Sequence, residues 1–338
     1  PMISPRTAAA ALLVLLAAPG LRAQGLGPFS LPERVQSRVN ASRFDSRSVF
    51  PPIDTRLTSK PGRPANPAQP PDLSGLANDL PTGRVVARHR VDRSALWPAV
   101  GNTGWTPPDP DLAVGRNHVV AVVNSSVAFF TKAGSKQFQQ TASTFFSGLG
   151  AGTFLFDPKC LYDRVHDRFV VIFLEQSDAT GTSKVLLAVS DDGDPNGTWY
   201  RYRLEARLDI SGQGFWLDYP GLGYNRDAYV VSGNMFGFSS GFGGVQFLVI
   251  PSAPLLSGGA ASAVSLRDPG GASVQMAEVI DPNRAVVFGV SRYSGSSLRV
   301  YGVRDPGTLS PTVVSASVTV PSHSAPSGDA PSTSGTLL

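Results

Sequence analysis

The stretch DPKCLYDRVHDRFVVIFLE (157–175) opens on an Asp-Pro turn, passes through a short strand, reverses at a polar turn and continues as an unbroken apolar strand. Three other stretches share this plan: DPDLAVGRNHVVAVVN (109–124), DYPGLGYNRDAYVVSGNMF (218–236) and VQMAEVIDPNRAVVFGVS (274–291). Their apolar strands begin near Val119, Phe169, Tyr229 and Val286, at spacings of 50, 60 and 57 residues. A third strand follows in each unit, at 126–131, 184–189, 245–250 and 297–303, and a fourth at 199–204 and 313–320. Short β-branched and aromatic runs between Gly, Asn, Asp and Pro turns, with almost no helical periodicity, define an all-β chain. A four-stranded unit repeating at this period leaves apolar faces that only a neighbouring unit can cover, which is the logic of a propeller blade. The expected fold is therefore a β-propeller of four-stranded antiparallel blades spanning 105–338, with about four blades visible. Four blades followed by HSAPSGDAPSTSGTLL (323–338) suggest an incomplete ring, truncated at its C-terminus. The competing expectation is a complete four-bladed propeller with a disordered tail.

Upstream, Arg6 precedes the apolar run 7–18, then Pro19 and Gly20, the layout of a secretory signal peptide over residues 1–23. That run is too short to span a bilayer, so the expected product is secreted or periplasmic, with no membrane span. Residues 24–104 hold 11 Pro and few sustained apolar patterns, and read as a Pro-rich arm or linker. Within it only the alternating segment 83–91 suggests a strand. The whole chain carries 29 Lys/Arg against 25 Asp/Glu, and two of the Arg lie in the leader. A near-neutral balance of this kind argues against nucleic acid as a partner. Cys160 is the single cysteine, so the fold is held by its core without an intrachain disulfide.

Certain phrases carry a resemblance. Pro108-Asp109-Pro110-Asp111 with Val114-Gly115, Asp157-Pro158 with Tyr162-Asp163, Asp194-Pro195-Asn196-Gly197-Thr198-Trp199 and Trp216-Leu217-Asp218-Tyr219-Pro220-Gly221 resemble a group of secreted bacterial β-propeller proteins over roughly residues 105–330. The run 190–199 is also distantly similar to the Asp-box of sialidase-type propellers, with two extra positions and a displaced Gly. The resemblance implies a structural turn for that run and carries no activity over.

In a propeller blade the first strand lines the central channel, and the residues that open it surround one mouth. On this register Asp111, Asp157 and Asp218 begin successive inner strands, with Asp109 just ahead and Trp216 and Tyr219 beside the third. Carboxylates among aromatic rings suit a glycan, whose hydroxyls donate to the acids while a ring stacks on the sugar face, or a cation. The plainer reading makes each Asp-Pro an ordinary turn former. No cofactor is expected; Ca²⁺ is the one ion that the acids here, or the turn acids Asp163, Asp167, Asp191, Asp192 and Asp194, would suit. The leading functional expectation is a non-catalytic binding or scaffold propeller that recognises an extracellular glycan or protein. Its alternative is a sialidase- or glycosidase-like hydrolase, which needs two carboxylates flanking the scissile bond.

Overall fold

Nineteen strands and two four-residue helices account for the regular structure of the residues that the computed structural model describes, 35–46, 97–239 and 241–323. The signal peptide, the 83–91 strand and the C-terminal tail expected above lie outside them. Two strands come from the arm, β1 (Val35–Val39) and β2 (Ser42–Asp45). Blade 1 comprises β3 (Asp111–Val114), β4 (His118–Val123), β5 (Ser126–Thr131) and β6 (Lys136–Thr141). Blade 2 comprises β7 (Leu155–Asp163), β8 (Arg168–Ser177), β9 (Thr182–Ser190) and β10 (Thr198–Glu205). After the short β11 (Leu208–Ile210), blade 3 follows as β12 (Gln213–Tyr224), β13 (Ala228–Gly237), β14 (Phe242–Pro251) and β15 (Ala261–Asp268). Blade 4 is β16 (Gln275–Met276), β17 (Val286–Ser294), β18 (Ser297–Arg304) and β19 (Thr312–Thr319).

The chain is all-β, and each blade is an antiparallel meander in chain order. The fourth strands of blades 1 and 3, β6 and β15, complete units whose sequence had shown only three. The arm contributes more than a linker does: β2 adds a fifth strand outside β10, and β1 adds one outside β15. An outer strand with a free row of N–H and C=O groups is a template for pairing, and the arm occupies two of them.

The described residues divide into two compact units. One holds 42–46, 97–177 and 185–203, hence blades 1 and 2; the other holds 35–41, 178–184 and 204–322, hence blades 3 and 4. In the first unit, Ala113, Val120, Val122, Val127 and Phe129 of blade 1 meet Cys160, Val171, Phe173 and Trp199 of blade 2 in one apolar core. A four-residue helix, α1 (Ala142–Phe145), delivers Phe145 and Phe146 into this core, and the Thr141 side chain caps it by accepting from the Thr144 N–H. In the second unit, Val230, Phe247 and Val264 of blade 3 pack on Val287, Tyr301 and Val303 of blade 4. Each joint forms because alternate residues of a strand face opposite ways and both faces of an inner blade are apolar.

Candidate functional site

The inner strand of every blade carries a residue with positive φ, two residues ahead of it in blades 1 and 4 and within it in blades 2 and 3: Asp109 (41°), Ser273 (50°), Asp157 (47°) and Tyr219 (52°). Left-handed backbone is uncommon for residues with a side chain, so its recurrence at one position marks a requirement of the repeat. Proline follows in three of the four, at Pro110, Pro158 and Pro220. In blades 2 and 3 the ladder skips these two residues, jumping from Phe156 to Lys159 and from Asp218 to Gly221. Proline has no N–H to give the ladder and is tolerated at a bulge, and the bulge turns the preceding side chain out of the strand's alternation.

A second-strand asparagine supports this kink twice. Asn124 follows β4 and Asn234 lies in β13, each two residues past the partner of the residue that stands two after the kink. Asn124 donates to Asp109 Oδ2 at 2.6 Å and accepts the Asp157 N–H at 2.8 Å, so it ties blade 1 to the start of blade 2. Asn234 accepts the Ser273 N–H at 2.7 Å and donates to Ser273 Oγ at 3.2 Å, tying blade 3 to blade 4. Neither asparagine was singled out from sequence. Their common register position is visible only once the strands are paired.

The six expected site residues fall into two groups. In the first unit, Asp111 Oδ1 accepts the Leu112 N–H and its Oδ2 accepts the Cys160 N–H of β7, both at 3.0 Å. Both oxygens of Asp111 thus serve as backbone acceptors, and the side chain stitches the inner strands of two blades together. Asp111→Ala leaves the Cys160 N–H without its acceptor and is expected to lower stability by about 1–3 kcal/mol in urea denaturation. Asp111→Asn keeps an acceptor oxygen and is expected to lose less. Cys160 itself is buried as a small core residue, its thiol 3.7 Å from the Val120 carbonyl.

In the second unit, Trp216, Asp218 and Tyr219 do lie together in the first half and middle of β12. Trp216 and Asp218 are two apart on one strand and share a face, opposite Phe236 and Asn234 of β13. Trp216 and Phe236 have ring centroids 5.8 Å apart, and Phe236 lies 5.5 Å from Phe242 at the start of β14. Tyr219 is 54% exposed and Phe242 49% exposed, while Trp216 and Asp218 are half-buried. Asp218 Oδ1 accepts the Tyr219 N–H at 2.9 Å; among the described residues no donor reaches its Oδ2. The Gly-rich turn that follows β13 brings Phe238 under the Arg207 guanidinium, 5.8 Å from the ring centroid. The result is an open aromatic surface with one carboxylate oxygen and the Asn234–Ser273 pair beside it.

The turn acids have structural work. Asp163 is fully buried, with Oδ1 accepting the N–H groups of Val165 and His166 and Oδ2 2.7 Å from His166 Nδ1. In the Asp-box-like run, Asp192 and Asp194 accept backbone N–H groups two residues on, and Trp199 Nε1 donates to the Pro195 carbonyl at 2.9 Å. Among the described residues no group of three His, Cys, Asp or Glu side chains is arranged to hold a metal ion. No helix among them is long and apolar enough to cross a membrane.

No protein-family model matches the chain, and no curated protein matches it. Among solved structures it is similar to the GH43 endo-arabinanase from Bacillus licheniformis, at 16% identity and a TM-score of 0.32 over 60% of this chain and 73% of that one. It is also similar to the Bacillus subtilis arabinanase Arb43A, at 11% identity and 0.32 over 62% and 93%. A third is Zg3597, a family 117 glycoside hydrolase produced by the marine bacterium Zobellia galactanivorans, at 9% identity and 0.36 over 63% and 69%.

Proposed function

We propose that the chain is an exported propeller protein, secreted or periplasmic, that binds a saccharide on the blade 3 surface formed by Trp216, Asp218, Tyr219, Phe236 and Phe242. The observation that carries this reading is the placement of a half-buried Trp and a carboxylate side by side on one strand face, flanked by two exposed rings. An aromatic face covers the apolar C–H side of a pyranose or furanose ring, while an acid with a free oxygen accepts its hydroxyls. The carboxylate also sets the class: it repels uronic acids and sulfated sugars and favours neutral glycans.

The test is retardation of the protein in gels containing neutral or acidic polysaccharides, with Trp216→Ala and Asp218→Ala beside the parent. Retardation by a neutral polysaccharide that falls at least about tenfold in each variant supports the reading, since a well-placed hydrogen bond or stacked ring contributes more than about 1.4 kcal/mol. Retardation unchanged in both variants overturns it. Hydrolysis at the same surface is the second reading, favoured by the open Oδ2 of Asp218. Release of reducing sugar by the parent and its loss in Asp218→Asn, with binding kept, would assign Asp218 a catalytic part.

A further inference from the structure

Arg201, in β10 of blade 2, is 4% exposed, and every partner it has is neutral. Its guanidinium donates to the Phe145 carbonyl, to Ser42 Oγ at 3.1 Å and to the Arg43 carbonyl at 3.3 Å, and lies 4.9 Å from the Phe44 ring centroid. Its Nε is buried and, among the described residues, meets no acceptor. Burial pulls the guanidinium down to about 10. Arg203 and Arg299, by contrast, each meet a carboxylate, Glu175 at 2.7 Å and Asp268 at 3.3 Å. A cation taken out of water without an acid beside it is costly, so Arg201 leaves a demand for negative charge inside the unit of blades 1 and 2.

The demand faces β2. Arg201 is the cross-strand partner of Ser42, and Trp199 that of Phe44, in antiparallel register. The guanidinium and the indole therefore share one face of β10, where β2 offers a hydroxyl to the first and a ring to the second. The ring fits: Phe44 packs edge-on against Phe138 and Phe145, at 6.2 and 5.2 Å. The hydroxyl does not. A carboxylate in its place would bring two acceptor oxygens and a negative charge to the guanidinium fork. β2 is also short, four residues paired with Thr198–Arg201, and its phenylalanine is only half-buried. The outer side of β10 is thus a strand-acceptor site whose occupant matches one of its two side-chain positions and misses the other.

We propose that the outer edge of β10 receives an extended segment of a partner protein in place of β2, with an aspartate or glutamate opposite Arg201 and, two residues later, an aromatic residue opposite Trp199. Main-chain pairing supplies the general affinity of such a site, and the acid and the ring supply its selectivity. Until that segment arrives, the chain's own strand keeps the edge covered.

The test uses the full chain with Phe44→Ala, in which β2 has lost its ring from the pocket. It is titrated into labelled synthetic peptides of residues 41–46, one native and one carrying Ser42→Asp. Fluorescence anisotropy should rise to saturation with the Asp peptide, at a Kd at least about tenfold below that of the native peptide. Adding Arg201→Met to the chain should remove this preference, since no cation is left to meet the acid. Near-UV circular dichroism checks that both variants keep native packing. A second measurement needs no peptide: Ser42→Asp in the otherwise unchanged chain should slow amide exchange of 42–45 at least about tenfold, and Arg201→Met should cancel the effect. No saturable binding of the Asp peptide, equal binding of the two peptides, a preference that survives Arg201→Met, or exchange of 42–45 that Ser42→Asp does not slow would overturn the proposal.

Discussion

Asp268→Ala is expected to lower the stability of the unit formed by blades 3 and 4 by about 3–5 kcal/mol, because it strands a buried arginine. Asp268 ends β15 of blade 3, and Arg299 in β18 of blade 4 reaches its Oδ2 at 3.3 Å; both side chains are buried. Tyr301 donates to the same oxygen at 3.0 Å, and the Gly270 N–H donates to Oδ1 at 2.9 Å. The guanidinium also lies 4.1 Å from the Tyr293 ring centroid. Removal of the acid leaves the charge in a low-dielectric joint with only neutral partners, the Gly270 carbonyl and the side chains of Tyr293 and Tyr301. Replacing the pair together, Asp268→Leu with Arg299→Met, should cost less than either single change, since no charge is left uncompensated. Urea denaturation of the three variants decides this: a double variant worse than both singles would mean that the pair stabilises beyond its desolvation. The same joint has an alkaline signature. Burial, with the Asp268 charge beside it, pushes the Tyr301 hydroxyl up from 10.0 to about 12. A raised folded-state value means that the contribution is complete below pH 10 and is lost as pH rises through about 12. Tyr301→Phe should remove that part of the decline between these limits, measured as the difference from the parent at each pH.

The strands that repeat at 50–60 residues were legible because each blade is a local meander whose second and third strands are strongly apolar. The strands of the arm were not, for a physical reason. VQSRV and SRFD are four or five residues with little alternation, and they are strands because Val35 finds Ser265 and Phe44 finds Trp199 far along the chain. The candidate site divides similarly. Trp216, Asp218 and Tyr219 are adjacent in sequence and are adjacent in space. Asp111 carries the same Asp-Pro-Asp signature as a ligand-binding acid, yet its oxygens are taken by backbone N–H groups one and 49 residues away. Which acid serves the fold and which faces outward depends on the neighbouring blade's register, and local sequence does not contain it. Asn234 and Ser273, 39 residues apart, were missed for the same reason.

Trp199→Ala is expected to cost the unit of blades 1 and 2 about 3–5 kcal/mol, the range for truncating a large buried aromatic side chain. The indole is fully buried, stacked on Phe129 of blade 1 at 5.5 Å and edge-on to Phe145 at 5.3 Å. Its Nε1 holds the Asp-box-like turn through the Pro195 carbonyl. It therefore joins three things: the turn between β9 and β10, the core between the blades, and the fifth strand, since Trp199 is the cross-strand partner of Phe44 in β2. Phe44 in turn packs on Phe138 and Phe145, and the Arg201 guanidinium lies 4.9 Å from its ring centroid. Trp199→Phe restores a ring but not the hydrogen bond, and should cost about 1–2 kcal/mol. Hydrogen exchange separates this account from a general loss of stability. With Trp199→Ala, amides of 42–45 should exchange much faster, because β2 loses the side chain that its own aromatic residue meets. Amides of 35–39 belong to β1, which pairs with β15 in a different sheet, and should keep their protection. Equal acceleration in both strands would mean that the arm is released as a whole and that Trp199 does not anchor β2 in particular.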